Sequence, residues 1–109
     1  MTSAATSWLA DIVAFCDEIA QCCATGQRAW LDDPVNVAAT SYLLIKAAHA
    51  AEQAVAAHVR QQEPWRRLTG VRNRLAHDYR HIDLTLLWSV ATIRVAEVRS
   101  AAVAAMADP

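Results

Sequence analysis

Helix breakers are scarce in this chain, with 2 Gly and 3 Pro in 109 residues. Sparse breakers beside abundant Ala favour helix, because Ala loses no side-chain entropy when a helix forms. No pair of alternating β-branched runs is present, so nothing in the sequence would build a sheet. No run of 18 apolar residues occurs either, which leaves nothing to span a membrane. Cysteines number three, Cys16, Cys22 and Cys23, with no CxxC and no second cluster. That pattern excludes an even disulfide framework and a complete zinc site. The simplest account is a reduced, cytoplasmic protein. The start, MTSAATSWLADIVAF, lacks the basic opening of a signal peptide, and Asp11 interrupts its apolar residues.

What is present is apolar and unevenly charged. Hydrophobic residues make up 55%, which excludes a disordered tail, and the length suits one helical domain over residues 1–109. The formal net charge is −1, so the molecule as a whole is no polycation. Residues 1–33 hold five acids (Asp11, Asp17, Glu18, Asp32, Asp33) against one base, Arg28. Residues 60–80 reverse this, with six arginines against Glu63 and Asp78, a local charge of +4. Such a patch suits a phosphate ligand. A solvated helix face is the ordinary fate of a charge run, and charge alone favours that plainer reading.

Four helical segments are expected. Trp8, Ile12, Phe15, Ile19 and Cys22 recur as one helix stripe, with Thr6 or Ser7 as its cap and Gly26 near its end. The cysteines read as core packing. Asp33 followed by Pro34 reads as an N-cap and first helical position for a helix over Val35–Arg60. Its buried face would take Val37, Leu44, Ala48, Ala51, Val55 and Val59, interrupted by Lys46, His49, Glu52, Gln53 and His58. Pro64 starts a third helix whose inner side carries Trp65, Leu68, either Val71 or Arg72, and Leu75. Gly70 in mid-helix costs ~1 kcal/mol relative to Ala, so it marks a close helix contact or a tolerated weak spot. Asp83 caps a fourth helix carrying Leu84, Trp88, Ala91, Val95, Val98 and Ala102 inward. The four Trp residues read as core fillers or interface anchors. Together these segments predict an all-α, antiparallel four-helix bundle, with room for an extra short helix.

The chemistry concentrates in RNRLAHDY, residues 72–79. Arg72, His77 and Tyr79 form R-x4-H-x-Y, with Asn73 and Arg74 beside the first arginine. On one ideal helix Arg72 and His77 diverge by about 140°, from ~100° per residue. Either the helix ends near His77, or a second copy of the chain completes the site. RNA cleavage needs a base for the 2′-OH, an acid for the leaving 5′-oxygen and a cation for the phosphoryl charge. His serves as acid or base near neutrality, and Arg grips phosphate oxygens bidentately, so no metal is required. A two-fold dimer would place two of each around one cleft. Read alone, the three residues favour a plainer account over catalysis: an Arg in an ion pair, a His at a helix C-terminus and a Tyr with its hydroxyl in water. His77 and His81, spaced H-x3-H, supply only two metal ligands. Asp78 either raises the pKa of His77 or faces water.

The wider stretch PWRRLTGVRNRLAHDYRHIDLTLLW resembles the signature region of HepT-like HEPN toxins. The family pattern is Pro-Trp-Arg, Gly-x-Arg-Asn, Leu-x-His-x-Tyr, Ile/Val-Asp and a downstream Trp. It is met here at Pro64, Trp65, Arg66, Gly70, Arg72, Asn73, Leu75, His77, Tyr79, Ile82, Asp83 and Trp88. Upstream, Ala51-Glu52-Gln53 stands where the family commonly has Gly-Glu-Ala. The resemblance implies a HEPN-like bundle and a metal-independent RNA endonuclease toxin, of the kind encoded with a minimal nucleotidyltransferase antitoxin. Arg72 and His77 would be the catalytic pair, and Asn73 and Arg74 would bind or orient near the phosphate. Tyr79 would receive AMP, with ATP consumed by the antitoxin and no cofactor held by the toxin itself. The resemblance also implies a homodimer with the active site at its interface. The alternative from another class is a non-catalytic helical adaptor that binds a nucleotidyltransferase or a nucleotide.

Overall fold

A computed structural model describes residues 3–107. Six helices are seen among the described residues: α1 Ser3–Cys22, α2 Gln27–Leu31, α3 Pro34–Ala54, α4 Ala57–Arg60, α5 Trp65–Asp78 and α6 over 84–107. The fold is therefore an all-α bundle, built on four long helices but not strictly four-helix, since two short helices intervene instead of one at most. Trp8 meets His49 and Lys46 lies over Phe15, so α1 and α3 run antiparallel. The Asp17–Arg99 ion pair fixes α1 against α6, and Glu52–Arg72 joins α3 to α5. The core between them takes Leu9, Ile12, Ile19, Leu44, Leu68, Leu87 and Val98, all essentially inaccessible.

Local chemistry sets several boundaries where expected. Asp33 is extended and its Oδ1 accepts from the N–H groups of Val35 and Asn36 at 3.1 and 3.2 Å, with Pro34 in the first turn. Asp83 does the same for Thr85 and Leu86 at 2.8 and 3.3 Å. The expected cap at Thr6 or Ser7 is corrected: the helix is already under way at Ser3, and both residues lie inside it. Gly26 does not follow α1 directly. It opens α2 instead, at φ 99 and ψ 167, a region that a Cβ disfavours.

Three further differences have physical causes. The helix expected to run to Arg60 stops at Ala54, because Val55 turns extended. The freed Val55 carbonyl accepts from Arg60 Nε at 3.0 Å, so the break leaves that group satisfied, and Val55 and Val59 both still pack on the core. In α6, Val90–Arg94 form a π-helical turn. It widens the helix by a residue and turns its first half, so Leu87 is innermost while Leu84 is 38% exposed. Near it, Thr92 Oγ1 bonds the Trp88 carbonyl at 2.7 Å. Third, α2 carries Trp30 fully inside, 5.4 Å from the Trp88 ring. Its indole N–H donates to Thr40 Oγ1 at 3.0 Å, and that hydroxyl donates to the Asn36 carbonyl at 2.7 Å. This relay satisfies the only buried polar side chain among the core residues, Thr40.

The cysteines pack as expected. Burial pushes the Cys16 thiol up to about 12, with the Asp17 charge adding to it, and the Cys23 thiol up to about 11. Both are protonated, weak nucleophiles at neutral pH. Gly70 is exposed, and a Cβ there would meet nothing within 4 Å, so the close-contact reading of Gly70 is overturned within this chain.

Two substitutions test this architecture. Thr40→Val strands the buried Trp30 N–H and lowers unfolding free energy by about 1–3 kcal/mol in urea titration. Gly70→Ala raises it by roughly 0.5–1 kcal/mol, because a helix former replaces a residue that no contact requires.

Candidate functional site

The site is built on α5, and the rotation of that helix decides where each side chain goes. Trp65, Leu68, Val71 and Leu75 are buried and hold one face on the core. The position left open between Val71 and Arg72 is resolved: Val71 is inside, and Arg72 stands at the rim of the buried face. From there it reaches α3. Arg72 Nη2 donates to Glu52 Oε1, and Arg72 Nε donates to Asn73 Oδ1 at 3.0 Å. The two paired side chains keep 23% and 30% of their surface, so the contact is half-buried. A guanidinium with two fixed partners is oriented, and its remaining N–H groups point a positive charge at whatever enters beside it.

His77 sits elsewhere. The helix runs without interruption to Asp78, so Arg72 and His77 diverge as ideal geometry requires. His77 is exposed and shares the outer face with Asn73, four residues back. Arg74 is on that outer side too, beside Arg67 and Gly70. The structure thus brings Arg72 and Asn73 together with Glu52, and does not bring Arg72 to His77 within one chain. Asp78 is accounted for: its Oδ1 lies 2.6 Å from His81 Nδ1, so its carboxylate is turned to His81 and not to His77. Among the described residues no group of three or more His, Cys, Asp or Glu side chains is placed to hold a metal ion.

Tyr79 begins a single 3-10 turn, Tyr79–His81, that follows α5. Its side chain is 67% exposed and its hydroxyl has no partner among the described residues. The ring borders an apolar groove of about 510 Å³ whose other walls include Val37, Tyr42, Ile45 and Leu75. Arg72 borders a second groove of about 440 Å³, with Trp8, Phe15, Lys46 and His49. Ile45 lines both, so the two grooves adjoin along α3. Tyr42 lines the first groove at 62% exposure, and Lys46 Nζ of the second lies 5.2 Å from its ring.

Sequence reasoning missed Glu52 as the partner of Arg72, and Tyr42 altogether. A signal existed for both. Tyr42, Ile45, Lys46, His49 and Glu52 recur at helical spacing, and polar residues mixed into an apolar stripe mark a face at the edge of a core.

With this geometry in place, the comparison with known families is specific. The family model described as Ribonuclease HepT-like matches residues 12–105, which is most of the chain. The chain belongs to the HepT-like family. None of the curated proteins and none of the solved structures matches it significantly. No helix among the described residues is long and apolar enough to cross a membrane.

Glu52→Gln removes the charge that holds Arg72 while keeping the shape. Because the pair is half-buried, the expected loss is modest, about 1 kcal/mol in urea titration, with helical circular dichroism unchanged. A stability equal to the parent protein would show that Glu52 does not anchor Arg72.

Proposed function

We propose that this chain is a metal-independent RNA endonuclease toxin, switched off when a cognate nucleotidyltransferase antitoxin transfers AMP from ATP to Tyr79. The observation that carries the reading is the state of the signature residues. Arg72 is oriented by Glu52 and Asn73 at the edge of a groove, while His77 and Tyr79 stand free in solvent. A fixed cation and an accessible imidazole are the two parts that phosphodiester cleavage needs.

In the reaction, one His77 takes the proton of a ribose 2′-OH. That oxygen attacks the adjacent phosphorus, and the bond to the 5′-oxygen breaks. A second His77, protonated, gives its proton to the leaving oxygen. The product ends are a 2′,3′-cyclic phosphate and a 5′-hydroxyl. Arg72 holds the charge that builds on the phosphoryl oxygens. Because Arg72 and His77 diverge on one helix, the reaction calls for a homodimer with the site at its two-fold interface. The exposed apolar groove flanked by Tyr42 and Tyr79 is in keeping with such an interface. AMP on Tyr79 places a negative phosphodiester and a bulky nucleoside beside Arg72's groove, which repels and blocks RNA without unfolding the bundle.

A second reading draws on the same contact. Glu52 already neutralises Arg72 in part, as suits a non-catalytic adaptor that binds a nucleotidyltransferase or a nucleotide. Purified protein incubated with RNA in chelator separates the two. The toxin reading expects cleavage, lowered at least ~100-fold by His77→Ala and by Arg72→Ala. It also expects intact mass to show AMP on Tyr79 only after co-expression with the nucleotidyltransferase. RNA left intact by the unmodified protein, together with a stable complex that survives both substitutions, would establish the adaptor instead.

A further inference from the structure

The outer face of α5 holds a cluster of which only Arg74 has been given a part, by the family resemblance. Arg67, Gly70 and Arg74 line a notch of about 220 Å³ whose floor is Val71 and Leu86. Arg67 and Arg74 are seven residues apart, about 10 Å along the axis at ~1.5 Å per residue. They flank Gly70 at the rim. His77 lies three residues beyond Arg74 on the same side, so the notch leads along the helix toward it.

Two features of this cluster point outward. The first is Gly70. A glycine in mid-helix weakens the helix, and beyond its own chain neighbours and the local helix backbone no atom lies within 4 Å of where its Cβ would be. The surface above Gly70 is therefore open to solvent, and without a Cβ an outside group could come closer to the helix there. The second is charge. Arg74 has no hydrogen-bond or ion-pair partner among the described residues, and Arg67 is held only by Glu63 at 3.9 Å, which Arg66 shares at 3.2 Å. Asp78, the other acid of this stretch, is engaged by His81. Arg74 thus lacks a counter-charge, and Arg67 has only a shared one.

We propose that this notch is a phosphodiester seat for the RNA strand, distinct from Arg72, which guides the strand along α5 to His77. The inference rests on the RNA-cleaving reading and assigns its substrate path. Arg67 and Arg74 would take the oxygens of one or two phosphates from either side. The apolar floor of Val71 and Leu86 would take a ribose or base face. Gly70 would let the sugar–phosphate backbone approach the helix closely, as glycine does elsewhere where a chain meets a phosphate ligand.

The test uses the full chain carrying His77→Ala, so that RNA is bound and not cut, and a fluorescein-labelled single-stranded RNA of mixed sequence. Anisotropy is read across a range of salt. Arg67→Gln with Arg74→Gln is expected to weaken binding at least about tenfold and to flatten the slope of log K on log salt by about 1.4, at ~0.7 per lost contact. Gly70→Ala is expected to weaken binding roughly threefold or more while raising Tm, two shifts of opposite sign that a merely structural glycine could not produce. Arg28→Gln, on exposed α2, is the control and leaves both unchanged. Parent protein that cleaves RNA, beside Arg67 and Arg74 variants that bind and cleave as well as it does, would overturn the seat and leave the nuclease reading intact. Variants that bind RNA normally but no longer receive AMP would also overturn it, and would make this face the dock for the nucleotidyltransferase. Absence of RNA binding and cleavage in every form would overturn both.

Discussion

The rotation of α5 about its own axis is the constraint from which the site follows. Four buried residues, Trp65, Leu68, Val71 and Leu75, leave that helix one way to lie on the core. Everything polar on it is then assigned a direction. Arg72 falls at the rim facing α3 and finds Glu52; Asn73, Arg74 and His77 fall outside. The ion pair between α5 and α3 is a consequence of this packing and adds a modest, half-buried contact to it.

The same constraint separates the two halves of the chemistry. One helix cannot aim Arg72 and His77 at a single phosphate while it stays helical through Asp78. The bundle thus presents an oriented guanidinium on one side and an imidazole on another. Tyr79 lies past the helix end on a short 3-10 turn, where the ring is free of the α5 periodicity and can border the groove along α3. A group added at Tyr79 would lie at the rim of a groove that adjoins the Arg72 groove at Ile45.

The rest of the bundle is support with a few local devices. Asp33 and Asp83 begin α3 and α6 by taking the first free N–H groups. Trp30 and Thr40 tie the short α2 beneath the core through a satisfied polar relay. The π turn at Val90–Arg94 lets α6 change which residues face inward halfway along. Buried Cys16 and Cys23 act as small apolar fillers, their thiols held protonated by burial.

Features that depend on neighbours in the chain were legible without coordinates. Both Asp caps, Pro34, the four long helices, three of the inner residues of α5 (Trp65, Leu68 and Leu75) and the R-x4-H-x-Y cluster follow from chemistry within a few residues. The divergence of Arg72 and His77 follows from helix geometry alone. Other features depend on residues far apart in sequence, and these only the tertiary structure decided. Glu52 is twenty residues from Arg72 and reads as a mere interruption of an apolar stripe until α3 and α5 are docked. The break at Val55, whose carbonyl Arg60 satisfies, and the π turn at Val90–Arg94 appear only in the folded chain. Whether Gly70 marks a close contact within the chain was decided by empty space, which no sequence pattern records: the sequence shows that a residue has no side chain, but only packing shows whether anything fills its place.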